Sequence, residues 1–499
     1  MLAQDPNFVA PEIEWWHLSP ILTLVGGALL LLLVGALTLR WPKGLYGIVT
    51  ILTAAVAGVF AFLQWGDIDD NGPATIVDGA LAYDHLTLFL TMTICAALVL
   101  VALVTIDELA IAGKDAPEMY AMFLVAATGG IVMASANDMI VLFLGLETLS
   151  LALYVLAASY RTPESQESGL KYFVLGGFAS AVFLYGIALV YGGTQSTNIS
   201  EIAASFTTNV SLDGDSTLVL AGLALLIVGL GFKVAAVPFH VWSPDVYQGA
   251  PNQVTAFMAS VGKAAAFAAM LRVLLVALPF QRDDWRPVIW VLAVLSLVIG
   301  SLLAAVQTDV KRMLAYSSVS HAGFILVGVE AAGHAGPNSG MESVVEYLLF
   351  YSVLTIGSFA VVAVVAHSNG GDTSISAFNG LARRRPAVTL ALTVFLLAQA
   401  GVPFTTGFVA KFGVIQAAVD VNSYAIGIIA MLSAVIAAFM YLRIMVSAWL
   451  TTDDTDAPKE QVPFATALAV GVAAVFTVVV GIYPEWLLEA AESVAIYAR

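Results

Sequence analysis

Four ionisable side chains stand inside long apolar runs, and their types suit proton transfer. Glu147 lies in Val141-Leu-Phe-Leu-Gly-Leu-Glu147-Thr148-Leu-Ser150, Lys233 in Gly231-Phe-Lys233-Val-Ala-Ala-Val237-Pro238-Phe239-His240, and Lys263 in Ala259-Ser-Val-Gly262-Lys263. Lys411 follows Gly401-Val402-Pro403-Phe404-Thr405-Thr406-Gly407. A charge at the centre of a bilayer costs about 2.5–3.5 kcal/mol even on the lenient insertion scale, so these side chains should face protein or water. A desolvated lysine releases its proton near neutral pH, whereas arginine stays protonated, so lysine at all three basic positions favours titration over scaffolding. Two static roles compete. Glu147 would suit an ion pair that glues helices, and Lys263 and Lys411 would suit snorkelling, although stems of roughly 6 Å fall short of either interface from mid-helix.

His321, among Ser317, Ser318 and Ser320, suits either a proton relay or a satisfied core histidine. His240, Trp242 and Asp245 close the Lys233 run and read as loop anchors. Cys95 is the only cysteine, so no pair or cluster exists to hold zinc, an iron–sulfur centre or a disulfide. The expectation is therefore no cofactor and no metal in this chain, with any redox chemistry elsewhere. No nucleophile, base and orienter constellation stands out.

The elements that must position these residues are membrane helices. Hydrophobic residues make up 60% of the sequence and charged ones 11%, far from a soluble composition. The apolar runs are about 20 residues long, enough to cross a roughly 30 Å hydrocarbon core as helices and twice what a barrel strand needs. About 14 spans are expected, at 19–39, 45–65, 84–106, 118–136, 138–159, 170–193, 217–241, 253–277, 287–307, 313–332, 343–366, 386–416, 423–449 and 463–486. The net charge of −16 collects in stretches such as Asp67 to Asp78 and Asp107 to Glu118, read here as solvated faces. Nucleic acid is an unsuitable partner for such a chain.

Basic residues alternate between loops. Arg40, Lys43, Lys114, Arg161, Lys171, Lys311, Arg312, Arg383, Arg384, Arg385 and Lys459 fall on one side, and Arg282, Arg286 and Arg499 on the other. The positive-inside rule puts the first group in the cytoplasm and both termini outside. Trp16, Trp41, Trp65, Trp285 and Trp486 at span ends read as interface anchors, and Lys311-Arg312 and Arg383 to Arg385 as topology determinants. The first 19 residues carry Asp5, Glu12 and Glu14 but no Lys or Arg, unlike a signal peptide, so a mature N-terminus is expected.

The seventh and twelfth spans each combine Val-Pro-Phe with a lysine. Proline removes a backbone donor and blocks the carbonyl four residues earlier, so each helix should break near mid-membrane. The offset of five spans makes the two breaks antiparallel, the pattern of inverted repeats. Gly229 and Gly231, which superficially suggest a nucleotide loop, read as helix-packing positions instead.

At these residues the sequence resembles a known family, the antiporter-like subunits of bacterial complex I. The resemblance rests on Phe143 to Ser150, Gly169 to Phe173, Gly231 to Pro251, Lys311 to Gly323 and Pro403 to Lys411, and runs from roughly 84 to 450. It implies an all-α integral membrane protein with two inverted five-helix repeats, each holding a broken helix. The segments would be 1–117, three N-terminal helices; 118–277 and 287–449, the repeats; and 450–499, the last span and C-terminus. Within the family, one branch carries a long lateral helix for which little chain remains after residue 486, and another has glutamate at the position of Lys411. The resemblance favours the third branch, which has lysine at positions 263 and 411.

What it further implies is proton translocation in the inner membrane of a bacterium, through Glu147, Lys233, Lys263 and Lys411 with His321 as a possible relay. Partners would be the other membrane-arm subunits, including antiporter-like paralogues, and the lipid bilayer. Glu147 is expected to pair with Lys233; at about 6 Å and an effective dielectric near 20 the coupling is about 3 kcal/mol. Moving one proton against 100 mV takes about 2.3 kcal/mol, a similar magnitude. The same residues would also serve a subunit of a multisubunit sodium/proton antiporter or a membrane-bound hydrogenase, a stand-alone secondary transporter, or a scaffold whose charges merely pair.

Overall fold

The computed structural model describes residues 13–38, 41–42, 44–114, 116–208, 216–336, 339–451 and 462–495. Asp5, Glu12, Arg40, Lys43, Lys459 and Arg499, cited above, lie outside the described residues. The long helices are α1 (Ser19–Leu37), α2 (Leu45–Asn71), α3 (His85–Ile111), α4 (Pro117–Ser135), α5 (Met139–Ala157), α6 (Pro163–Thr194), α7 (Ser216–Val234) and α8 (Asn252–Ala277). They continue with α9 (Arg282–Val306), α10 (Val310–Ala332), α11 (Gly340–Ser368), α12 (Pro386–Ala400), α13 (Thr406–Asp420), α14 (Tyr424–Leu450) and α15 (Phe464–Ile482). Thirteen helices among the described residues are long and apolar enough to cross a membrane, and α12 with α13 supplies the broken span expected at 386–416. A two-stranded hairpin, Ala74–Ile76 against Leu81–Tyr83, adds a little sheet to the all-α fold between α2 and α3.

Helices in lipid must satisfy their backbone polar groups internally, and many hydroxyl side chains here are satisfied locally as well. Thr50, Thr91 and Thr105 each donate to the carbonyl four residues back. Asp138 and Asp309 accept from first-turn amides of α5 and α10 and so cap those helices. Where α6 meets α7, a Cβ on Gly222 would come within 2.8 Å of the Gly186 carbonyl, so only glycine permits that approach. Gly229 packs likewise, a Cβ there meeting Phe183 at 2.6 Å.

The outer helices α1, α2, α6 and α14 expose Leu33, Phe62, Phe178 and Leu432, whereas α8, α10 and α11 are enclosed. The lysine-bearing helix α8 therefore lies in protein, not lipid. Trp285 corrects its expected role as an interface anchor: it is 1% exposed, with its indole N–H on the Leu278 carbonyl. In the acidic stretches Asp69, Asp70, Asp78 and Glu118 are exposed, whereas Asp67, which accepts from Asn71 and Tyr83 in α2, and Asp107 and Glu108 in α3 are partly buried.

One ion pair has no counterpart among the sequence expectations. Arg272 in α8 donates two parallel bonds of 2.6 Å to Asp84, which caps α3, and also bonds Thr87 and the Ala134 carbonyl. Both partners are buried. Burial opposes the Asp84 charge, but Arg272 outweighs it and holds the carboxyl below its ordinary value. Asp84→Ala would leave a buried cation uncompensated, a loss of about 3–5 kcal/mol. The expected result is a sharp fall in the assembled subunit, checked by its amount in membranes. The double replacement Asp84→Leu with Arg272→Met should recover much of it.

Candidate functional site

The break in the seventh span follows from its sequence. α7 stops at Val234, one residue past Lys233, and Ala235 takes a positive φ of 58°. The Phe232 carbonyl, released from the helix ladder, accepts from the Ala235 amide and from the Trp242 indole at 3.0 Å. The Val237 amide finds Ser296 in α9. The chain then resumes as a short helix, Trp242–Gly249, before entering α8.

Lys233 thus ends a half-helix inside the bundle, 9% exposed. Its ammonium donates to Ser150 Oγ at 2.6 Å and to the Tyr154 hydroxyl at 3.4 Å, with the rings of Tyr154 and Tyr172 at 5.5 and 5.7 Å. Glu147 lies one helical turn from Ser150 on α5, partly exposed, and accepts from Ser180 of α6. The expected Glu147–Lys233 ion pair is not formed directly: no contact within 4.0 Å joins them among the described residues. Ser150 occupies the position opposite the ammonium, and the carboxylate turns to Ser180 instead.

Lys263 follows a π-helical turn, Met258–Gly262, in α8. Such turns widen the helix and re-aim its side chains, and they recur at functional sites. Lys263 is 2% exposed and donates to the carbonyl and hydroxyl of Ser318, with the Tyr351 ring at 5.3 Å. His321, one turn farther along α10, touches the Tyr347 hydroxyl through Nδ1 at 2.7 Å and the Tyr441 hydroxyl through Nε2 at 3.1 Å. Its ring also lies 4.9 Å from that of Tyr351. Lys263 and His321 therefore share one aromatic neighbour.

Lys411 sits where the second break leaves carbonyls bare. Pro403 has no N–H to offer the Gln399 carbonyl four residues earlier. The Lys411 ammonium donates to that carbonyl at 2.7 Å and to that of Ala400 at 3.2 Å, at the negative end of α12. Phe324, one turn beyond His321, faces the same ammonium at 4.7 Å. Snorkelling is ruled out by geometry, because Lys263 and Lys411 are both buried and tied to interior acceptors.

Asp245 anchors the chain after the first break. It accepts from Lys171 of α6 at 2.8 Å and from Arg312 of α10 at 2.7 Å. Partial burial raises its carboxyl, but the two cations outweigh that and leave it below the ordinary value. Its contribution is thus present above an unfolded-state value of 3.8 and is lost as pH falls through the lower folded value. Lys311 corrects its reading as a topology determinant alone: it is 5% exposed and donates to the Ala250 carbonyl at 2.7 Å.

Sequence reasoning assigned no role of their own to the hydroxyl groups Ser150, Ser180, Ser318, Tyr154, Tyr347 and Tyr441 that hold these side chains. Ser150 and Ser318 carried a faint signal, being adjacent to charged residues at helical spacing. Tyr154 lies one turn beyond Ser150 on α5, whereas Tyr347 and Tyr441 came from distant helices and carried no signal.

Both the sequence and the fold are similar to those of known proteins. Residues 136–437 match the family model described as NADH:quinone oxidoreductase/Mrp antiporter, TM. A relative from Rhodococcus opacus, called NADH-quinone oxidoreductase subunit N, is 41% identical over 100% of this chain and 99% of its own length. A chain of respiratory complex I from Thermus thermophilus, solved with bound aureothin, is 32% identical, covering 95% of this chain and 99% of that one at a TM-score of 0.78. A chain of the Mrp complex from Dietzia shares the fold at a TM-score of 0.83, covering 97% of each chain at 21% identity.

Proposed function

Since this chain belongs to the NADH:quinone oxidoreductase/Mrp antiporter family of membrane subunits, we propose that Glu147, Lys233, Lys263, His321 and Lys411 form its proton route. It is a subunit N of NADH-quinone oxidoreductase, a multi-span component of the membrane arm that couples quinone reduction elsewhere in the complex to proton translocation. The observation that carries the residue assignment is that three lysines on three helices end on neutral acceptors inside protein, with no carboxylate among the described residues fixing any of them. Such a lysine is free to lose its proton, whereas one locked in an ion pair is not.

In this reading Lys263, His321 and Lys411 form one contiguous group, joined by Tyr351 between the first two and Phe324 between the last two. Protons pass among them over hydroxyls and intervening water. Glu147 and Lys233 form the adjoining group, linked through Ser150. Glu147 is the least enclosed of the five and is where a neighbouring membrane-arm subunit would bias the charge of Lys233. The segments 118–277 and 287–449 act as two inverted repeats around the breaks at 235–241 and 401–405. The chain lies in the bacterial inner membrane with both termini outside, so that the Lys114, Arg161 and Arg312 ends face the cytoplasm.

Lys263→Arg tests the assignment, because arginine keeps the charge but does not release a proton at accessible pH. Pumping in membrane vesicles should fall severely while the complex still assembles. Wild-type pumping by the assembled variant would mean that Lys263 is a fixed charge.

A further inference from the structure

Glu108 reads as a solvated residue in the sequence, yet the structure builds it into a partly buried polar string at one mouth of the bundle. At that end α3, α4 and α5 surround a cavity of ≈ 400 Å³ lined by Lys114, Glu118, Ser159, Tyr160 and Arg161. The Ser159 hydroxyl there is buried without a partner. Tyr160 is part of the wall. Its hydroxyl donates to Glu108 Oε2 at 3.4 Å and accepts from Gln253 Nε2 at 3.0 Å.

Gln253 stands in the first turn of α8, the helix that carries Lys263, and is 0% exposed. Its Oε1 is buried with no partner, an acceptor placed where only water could reach it. Lys311, on α10, is near enough to attract the Glu108 charge, and Asp107 is near enough to oppose it. Two turns along α10 from Lys311 lies Ser318, to which Lys263 donates. The remaining gap from Gln253 to Lys263 along α8 is about 15 Å at 1.5 Å per residue.

We propose that this cavity is the proton-uptake mouth of the chain and that Glu108 is its loading group. The inference rests on the lysine route proposed above. Cavity water gives a proton to the Glu108 carboxylate, forming an O–H bond and leaving hydroxide that the aqueous phase neutralises. Glu108 then releases that proton to water held at Gln253 Oε1, regenerating the carboxylate. The water chain delivers it to the neutral amine of Lys263, completing an ammonium. Tyr160 positions Glu108 against Gln253.

The test uses inverted membrane vesicles, in which the cytoplasmic face meets the medium, and measures pumping, NADH oxidation and assembled amount from pH 6 to pH 9 as an approximate working range. Glu108→Gln should assemble and should lose pumping several-fold toward alkaline pH, where direct delivery from the medium is scarcest. Glu108→Asp should restore most of the profile, and Tyr160→Phe should fall between. Wild-type pumping by Glu108→Gln across the range overturns the mouth. So does a pH-independent loss that follows the assembled amount and is not rescued by aspartate. Lys263→Arg in parallel separates the two claims: if it is inactive while Glu108→Gln pumps normally, only the mouth fails, and if both pump normally the lysine route fails as well.

Discussion

Lys233→Ala is expected to lower quinone-coupled proton pumping by about 100-fold or more, the scale of loss on removing a positioned proton-transfer group. The complex should still assemble. The ammonium's partners are Ser150 and Tyr154, both neutral, so its removal strands no buried charge. Ser150 also bonds the Leu146 carbonyl, and the Tyr154 ring packs on Tyr172 and Phe173, so each retains a neighbour in the variant. Pumping should therefore fall while the amount of subunit in membranes stays near wild type. Undiminished pumping in an assembled variant would remove Lys233 from the route. A loss of pumping in proportion to lost assembly would make the lysine a structural element instead.

Glu147→Gln is the second large effect. Glutamine retains the shape and a hydrogen bond to Ser180 but removes the negative charge one turn from Ser150, so the ammonium held there loses its nearest stabilising field. Lys233 then favours its neutral form, and the two groups no longer alternate. Pumping should fall to near background, with electron transfer slowed in step if the two are tightly coupled. Glu147→Asp keeps the charge and shortens the reach by one methylene, so it should retain much of the activity. Ser150→Ala adds a third arm, since the serine holds the Lys233 ammonium one turn from Glu147. It should impair pumping less than Glu147→Gln, because it removes one partner of the ammonium but neither charge. The readouts are pumping, NADH oxidation and assembled amount measured together. If Glu147→Gln assembles and pumps like wild type, the carboxylate has no essential part.

The sequence by itself determined the solvent, the helices and the chemistry available. Apolar runs about 20 residues long have no stable form in lipid other than helices or closed barrels, and length excludes barrels. Pro238 and Pro403 dictated where two helices stop, because a missing N–H and a steric clash act within four residues. The expense of a charge in lipid marked Glu147, Lys233, Lys263 and Lys411 by residue type and position alone. Each of these is a local property of the chain or a property of its solvent.

Tertiary structure decided whom these charges meet. Asp84 and Arg272 are far apart in sequence, and neither residue's surroundings in the chain encode the other. The Lys233 ammonium meets Ser150 and not Glu147 because of how the end of α7 lies against α5, which no spacing in the sequence reports. Lys311 looked like one more basic loop residue until α8 brought the Ala250 carbonyl over it. Glu108 looked solvated until the Tyr160 hydroxyl met it and tied it to Gln253 from two other segments. Helix formation and membrane insertion depend on neighbours in the chain, whereas hydrogen-bond partners and water access depend on packing between distant helices, and only the folded bundle fixes that.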